Sequence, residues 1–437
     1  MKTSRLLLFI MASLLAMTAC KKDSDPEPAP VYTDKVVLND LVVTGDSVKL
    51  SWSRLDNDRF LAYLVIRRTY KSNGEYQYYP YLVEIDDRSV TTYTDRNLPY
   101  APYVEYQVVA GLSTSIPESP ELIYSNIRSV ERPNIKVFPM TIYDMIPDVS
   151  NKRCYIIESD SGKISILDYQ NESVTRSVKT NAKIGYCAIG SYNGQNELYV
   201  PRNDGWIFIY NSETLEKADQ ISLAKSVTSL AVNQGTIFAC GQDYNYYDNK
   251  IWAVDRVTKT ILSTNDGNYD QHFAVIPGTQ TELIGVPVYS GYYMSWYEYN
   301  PAGIKTNEKD VYGLQNPNSV IKIFPDGQQF ITSDMAMIYN RNLDLVIQLP
   351  HGNYTFSDYA IDPSGAILYA GSNNSRCVIS YSIPGYEQVA EYKTKGYPLR
   401  VFLDGNTLIS LSSTIPTGNI YYGSPINVII EKIPLGK

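Results

Sequence analysis

The stretch Ser191–Val200 reads SYNGQNELYV, a polar turn followed by an apolar strand-like run. The same couplet recurs from about residue 133 onward as DVSNKRCYII, NQGTIFAC, GTQTELIGV, FPDGQQFIT, DPSGAILYA and LDGNTLISL. Aligned on the first large apolar residue, the copies fall at Tyr155, Leu198, Ile237, Leu283, Phe330, Leu368 and Leu408, with spacings of 43, 39, 46, 47, 38 and 40 residues. That is the period of a four-stranded blade. A second signature follows most copies, an alternating strand ending in a polar turn: KISILDYQNES, WIFIYNSET, KIWAVDRVT, SWYEYNPAG, AMIYNRNLD and VISYSIPGY. Seven copies with this strand content predict a seven-bladed β-propeller over 132–437. Residues 134–139 (NIKVFP) are expected to supply an outer strand to the last blade, whose own last strand is INVIIEKIP.

Upstream, residues 34–131 alternate apolar and polar positions in short runs such as SVKLSWS, AYLVIRRTY and VEYQVVAG, with no helical period. Such strands spaced by turns predict a small β-sandwich, so the fold class is all-β with two domains. Before it stand Lys2 and Arg5, an apolar run from Leu6 to Met17, and Thr18-Ala19-Cys20. The run is too short to cross a bilayer as a mature helix and reads as a secretory signal over residues 1–19. Residues 20–33 (CKKDSDPEPAPVYT) form a charged, Pro-rich tether.

Composition narrows the function. Apolar residues make up 44% and charged residues 19%, ordinary for a globular chain apart from 39 tyrosines. The full chain carries 38 basic and 46 acidic residues, a net charge of −8, and loss of residues 1–19 makes it more acidic still. No basic stripe offsets this acidity, which argues against a nucleic-acid partner. Cys154, Cys187, Cys240 and Cys377 lie far apart in apolar runs with no CxxC or metal-ligand spacing. Buried unpaired thiols are the expectation, with a Cys154–Cys187 pair left open if their strands are neighbours. No cofactor motif, phosphate loop or nucleophile elbow is present. DSGK at 160–163 lacks the serine two positions before the aspartate that a sialidase Asp-box turn has, since Glu158 stands there. The two histidines, His272 and His351, both fall in inter-blade segments without a sequence-readable partner; an ordinary hydrogen bond is expected of each ahead of a metal site or an acid–base pair.

The tyrosines concentrate in loops. In a blade running from inner strand a to outer strand d, the b–c loops share one rim with the d-to-a connections between blades. DYNYYDNK at 243–250 is placed between b and c of the third blade, YSGYYM at 289–294 in the fourth, and TIPTGNIYYGS at 414–424 in the seventh. Connections on the same rim add GNYDQH at 267–272, HGNYTFSDY at 351–359 and KGYPL at 395–399. Rings with a polar hydroxyl and little conformational freedom suit recognition, and a sugar face stacks on them. Tyr244, Tyr246, Tyr247, Asp248, Tyr269, His272, Tyr289, Tyr292, Tyr293, Tyr354, Tyr421 and Tyr422 are the candidate ligand-binding residues, with Asp243, Asn245, Asn249, Asp270 and Asn353 as hydroxyl partners.

Four resemblances extend this reading. Thr18-Ala19-Cys20 resembles the lipobox of bacterial lipoproteins, which implies a diacylated Cys20 as membrane anchor. The following lysine and acidic cluster is similar to surface lipoproteins of Gram-negative gut anaerobes, which implies an outer-membrane protein facing outward. VKLSWSRL, TYTDRNLPYAP and YQVVA resemble a fibronectin type III domain, with Trp52 as core tryptophan and Leu98 with Tyr106 at its corner, although the Leu98-to-Tyr106 spacing is two residues longer than that family's. The repeats over 133–437 resemble the YVTN-like propeller superfamily. Together they imply a non-enzymatic surface protein that captures an extracellular glycan beside an outer-membrane nutrient importer. Cobalamin or another bulky nutrient, a protein-interaction scaffold, and a propeller lyase or lactonase are the alternatives.

Overall fold

The computed structural model describes residues 35–70, 74–78, 80–116, 119–242, 249–267, 269–279, 281–288, 293–312, 320–332, 335–416 and 425–436. It divides into two compact units, one ending at Val137 and the other beginning at Phe138. No described helix is long and apolar enough to cross a membrane.

The first unit has two antiparallel sheets. Three strands, Val42–Thr44, Ser47–Ser51 and Thr92–Asp95, form one. In the other, Phe60–Tyr70 pairs with Tyr103–Leu112, and shorter strands flank this central pair. Alternation puts Leu50, Trp52, Tyr63, Val65, Leu98, Tyr106 and Val108 into one core. Within this unit Arg67 is buried, and its guanidinium lies 2.7 Å from the Asp95 carboxylate, which also accepts the Tyr106 hydroxyl at 2.7 Å. Each partner answers a charge or donor that burial would otherwise leave costly.

The second unit consists of seven four-stranded antiparallel sheets. Their inner strands are Asp144–Asp148, Ala188–Tyr192, Ser226–Asn233, Gln271–Val275, Ile321–Ile323, Phe356–Ile361 and Tyr397–Asp404, which begin blades 1 to 7. Six blades are built from consecutive strands; the seventh takes its outermost strand from Phe138–Met140, which pairs with Ile426–Val428. The closing strand therefore lies slightly beyond the expected NIKVFP segment, and only Phe138 and Pro139 are shared with it.

Every aligned repeat residue sits on the second strand of its blade and is at most 1% exposed. These strands read as continuous apolar runs because both of their faces are covered. In blade 1, Tyr155 and Ile157 join a cluster shared with blade 2, while Cys154 and Ile156 join the one shared with blade 7. One such cluster fills each of the seven junctions between neighbouring blades. All four described cysteines are free and buried in these cores, which closes the Cys154–Cys187 question.

On the rim carrying the a–b and c–d turns, a repeated contact ties blade to blade. Arg256, just after the third strand of blade 3, makes a two-pronged ion pair with Glu197 of blade 2 at 2.7 and 2.9 Å and also reaches Asp219 at 3.0 Å. Arg341 in blade 5 grips Glu282 of blade 4 in the same way, and Tyr386 in blade 6 donates to Gln329 of blade 5. Glu197, Glu282 and Gln329 each stand immediately before an aligned repeat residue, so the lock belongs to the repeat. Arg256 and Glu197 are both buried. Removing one partner strands the other's charge, so Arg256→Met is expected to cost roughly 3–5 kcal/mol in urea unfolding, with most of it recovered when Glu197→Leu is added.

Candidate functional site

The opposite rim, with the b–c loops and the d-to-a connections, is built differently. Rings there stand at the entry to an inner strand, at the exit from an outer one or at the start of a third strand. Tyr269 lies two residues before inner strand Gln271–Val275 and is 47% exposed. Tyr312 ends outer strand Lys305–Tyr312 and is 62% exposed. Between them Tyr293 begins the third strand of blade 4, its ring 4.6 Å from that of Tyr269 and 6.3 Å from that of Tyr312. Tyr293 is thus a buried strand residue and not the loop residue expected, because alternation turns its side chain into the fold beneath the two exposed rings. Burial raises its pKa, and the Tyr312 hydroxyl is raised too, first by desolvation and then by Asp310, so both remain donors.

A second set of rings leads to the end of the channel between the inner strands. His272, second residue of its inner strand, stacks on Tyr186 with centroids 4.0 Å apart and planes within 13°. Tyr186 packs on Tyr143 at 4.6 Å. The three come from blades 4, 2 and 1. They meet because the lead-in to blade 2 crosses toward blade 3: Tyr186 donates its N–H to the Thr228 carbonyl at 2.9 Å and forms a parallel bridge with Ser229. Gly185 makes that approach possible, since a Cβ there would lie 1.8 Å from the Thr228 oxygen. Arg400, on the inner strand of blade 7, donates to the Tyr143 carbonyl at 2.7 Å and to the Leu399 carbonyl at 2.9 Å. Across the channel end, Lys322 of blade 5 pairs with buried Asp358 of blade 6 at 3.2 Å, and Asp358 also accepts the Val401 N–H of blade 7 at 3.0 Å.

Other candidates have structural neighbours. Asn249 is a buried first residue of its strand, so it is no loop partner for a ligand. Tyr354 is half-buried and donates to Glu391 at 3.2 Å. His351 is hydrogen-bonded within its own turn, with Nδ1 2.9 Å from the Tyr354 carbonyl and Nε2 3.1 Å from Gln348. Asn353 accepts from Asn374 through its carbonyl at 2.7 Å. Among the described residues no three His, Cys, Asp or Glu side chains are arranged to hold a metal. Cys20, Asp243, Tyr244, Asn245, Tyr246, Tyr247, Asp248, Tyr289, Tyr292, Tyr421 and Tyr422 lie outside the described residues.

Sequence reasoning missed Tyr143, Tyr186, Tyr312 and Arg400. The available signal was positional: Tyr143 and Tyr186 occupy the d-to-a connections of blades 1 and 2, as Tyr269 does for blade 4. KIGYC contains no polar cluster to flag it, and Arg400 is an isolated charge within a strand.

These blades define the class of the second unit, a seven-bladed β-propeller. No protein-family model matches the sequence, and no curated protein matches it. Solved structures do. Hydrazine synthase of Kuenenia stuttgartiensis is similar with a TM-score of 0.51 at 13% identity, over 68% of this chain and 97% of that one. The WD40 repeats of RRP9 give 0.50 at 11% over 68% and 95%, and U3-55K gives 0.50 at 12% over 69% and 96%. At these identities the likeness establishes the fold alone.

Asp270 lies between the two ring sets, nearly buried, with the Thr228 hydroxyl donating to it at 3.1 Å. Desolvation raises its pKa despite that bond. A carboxyl whose folded pKa exceeds its unfolded one destabilises the fold once it ionises, so stability is lost as pH rises through the folded value. Asp270→Asn is therefore expected to raise the melting temperature at about pH 8 and to leave it unchanged near pH 3, where the acid is protonated in both states. A gain that persists at the acidic end would assign the effect to packing.

Proposed function

We propose that this chain is a binding protein, not an enzyme: a lipid-anchored outer-membrane surface protein whose fibronectin type III-like unit is a spacer and whose propeller captures an extracellular glycan for an uptake system. The observation that carries the reading is the pair of exposed rings on the loop-bearing rim, Tyr269 and Tyr312, backed by buried Tyr293. Exposed large aliphatic side chains of the propeller, such as Val174, Val257, Ile261, Ile304, Leu345 and Val389, lie instead at the opposite turns or at the starts of outer strands. Among the described residues the loop-bearing rim thus offers flat rings with hydroxyls and no aliphatic patch. A partner that alternates apolar faces with hydroxyl groups matches that surface, whereas a protein interface centres on a desolvated apolar core. The anchor reading rests on Thr18-Ala19-Cys20 and the tether after it.

The test is binding of the full chain to a panel of host and plant polysaccharides and to cobalamin. For a polysaccharide that binds, Tyr269→Ala with Tyr312→Ala is expected to weaken affinity about tenfold or more, roughly 1.4 kcal/mol. Both rings are exposed, so the melting temperature should hold. Cobalamin as the only binder, or unchanged polysaccharide affinity in the double variant, would sink the glycan reading. No ligand at all would redirect the search to a protein partner.

A further inference from the structure

We propose that the channel end selects a carboxylate-bearing sugar, with Arg400 as the residue that reads the acid; this rests on the glycan reading above and names its substrate class. Arg400 forms no ion pair among the described residues. Two backbone carbonyls, of Leu399 and Tyr143, hold its guanidinium beside the inner strand, and the half-buried side chain keeps its other N–H groups. An arginine fixed by carbonyls retains its full charge and its planar fork, the geometry that takes a carboxylate in two parallel bonds.

The acids nearby do not compete for it. Both oxygens of Asp358 are engaged, one by Lys322 and the other by the Val401 N–H. Asp144 accepts the Met145 N–H at 2.8 Å and forms no ion pair with Arg400. Asp270 is nearly buried against Thr228 and resists ionisation. Tyr143, whose carbonyl holds the guanidinium, packs on buried Tyr186, which in turn stacks on His272, three residues after Tyr269. A sugar lying on the exposed rings therefore has a fixed cation on the same rim, where the guanidinium reaches the connection that carries Tyr143. The chain's net charge of −8 repels polyanions at long range, so the attraction is local and belongs to a contact within a Debye length of about 8 Å.

The experiment is calorimetric binding of the full chain to tetragalacturonate and to neutral maltotetraose and cellotetraose. Wild type is expected to bind the acidic tetrasaccharide at least about tenfold more tightly, and added salt should shrink the difference. Arg400→Gln should abolish the preference while leaving neutral binding in place. Arg400→Lys, which keeps charge without the fork, should retain part of it. Melting temperatures of both variants show whether the carbonyl bonds also mattered to the fold; if Arg400→Gln is unstable, the Lys variant alone decides. Neutral sugars bound as well as the acidic one would overturn this inference and leave the glycan reading standing. A preference that survives Arg400→Gln would overturn it too. Binding of none of the three would count against both.

Discussion

Each blade of the propeller has two apolar faces and no way to bury either by itself. That constraint governs the rest of the unit. Burial comes only from the two neighbours, and the seven junction clusters supply it continuously around the ring. A ring of sheets must close, or two faces stay wet. Here closure is done by the pairing of Phe138–Met140 with Ile426–Val428, which brings the beginning of the unit into its last sheet. Phe138, Met140, Ile426 and Val428 are members of the same cluster as Met145 and Ile156 of blade 1. The bond between distant segments and the burial of the last junction are therefore one event, and a break in either exposes the other.

Closure leaves two rims free for different tasks. On one, charge and hydroxyl locks recur with the repeat: Arg256 on Glu197, Arg341 on Glu282, Tyr386 on Gln329. On the other, neighbouring blades meet through the Tyr186 N–H on Thr228, the Arg400 guanidinium on Tyr143 and the Lys322–Asp358 pair, while the Tyr186–His272 stack joins blade 2 to blade 4. Stability devices on the first rim are saturated by their partners within the fold. The second rim keeps exposed aromatic faces and guanidinium donors, which is what recognition requires from a rigid frame.

The blade count was legible because strand b is covered on both sides in every repeat, so Tyr155, Leu198, Ile237, Leu283, Phe330, Leu368 and Leu408 must all be large and apolar whatever their blade does at its rim. The closing strand was less legible, since its three residues obey the burial of blade 7 and carry no turn of their own. The rim was legible only in part. Tyr269 stood out because its loop is polar, and it is exposed. Tyr293 stood in an equally tyrosine-rich segment, yet it starts a strand, where alternation decides which way a ring points. Tyr143, Tyr186 and Arg400 come together from three blades, and nothing local to any one of them announces the other two.

The tyrosine content by itself is not a functional signal. Tyr155 donates to the Ser212 carbonyl, Tyr199 to Glu197, Tyr169 to Asp404 and Tyr381 to the Pro350 carbonyl, all with buried rings. A junction between twisted sheets needs large flat side chains that can reach a polar rim, and tyrosine fills that role with ring and hydroxyl both used. Tyr155, Tyr169 and Tyr381 each cross a junction to do so. What separates Tyr269 and Tyr312 from these is position. They stand at the entry to an inner strand and the exit from an outer one, beyond the last residue that a neighbouring blade can cover. The fold buries a tyrosine wherever a second sheet lies opposite it; a ring placed past that edge has only an outside partner to meet.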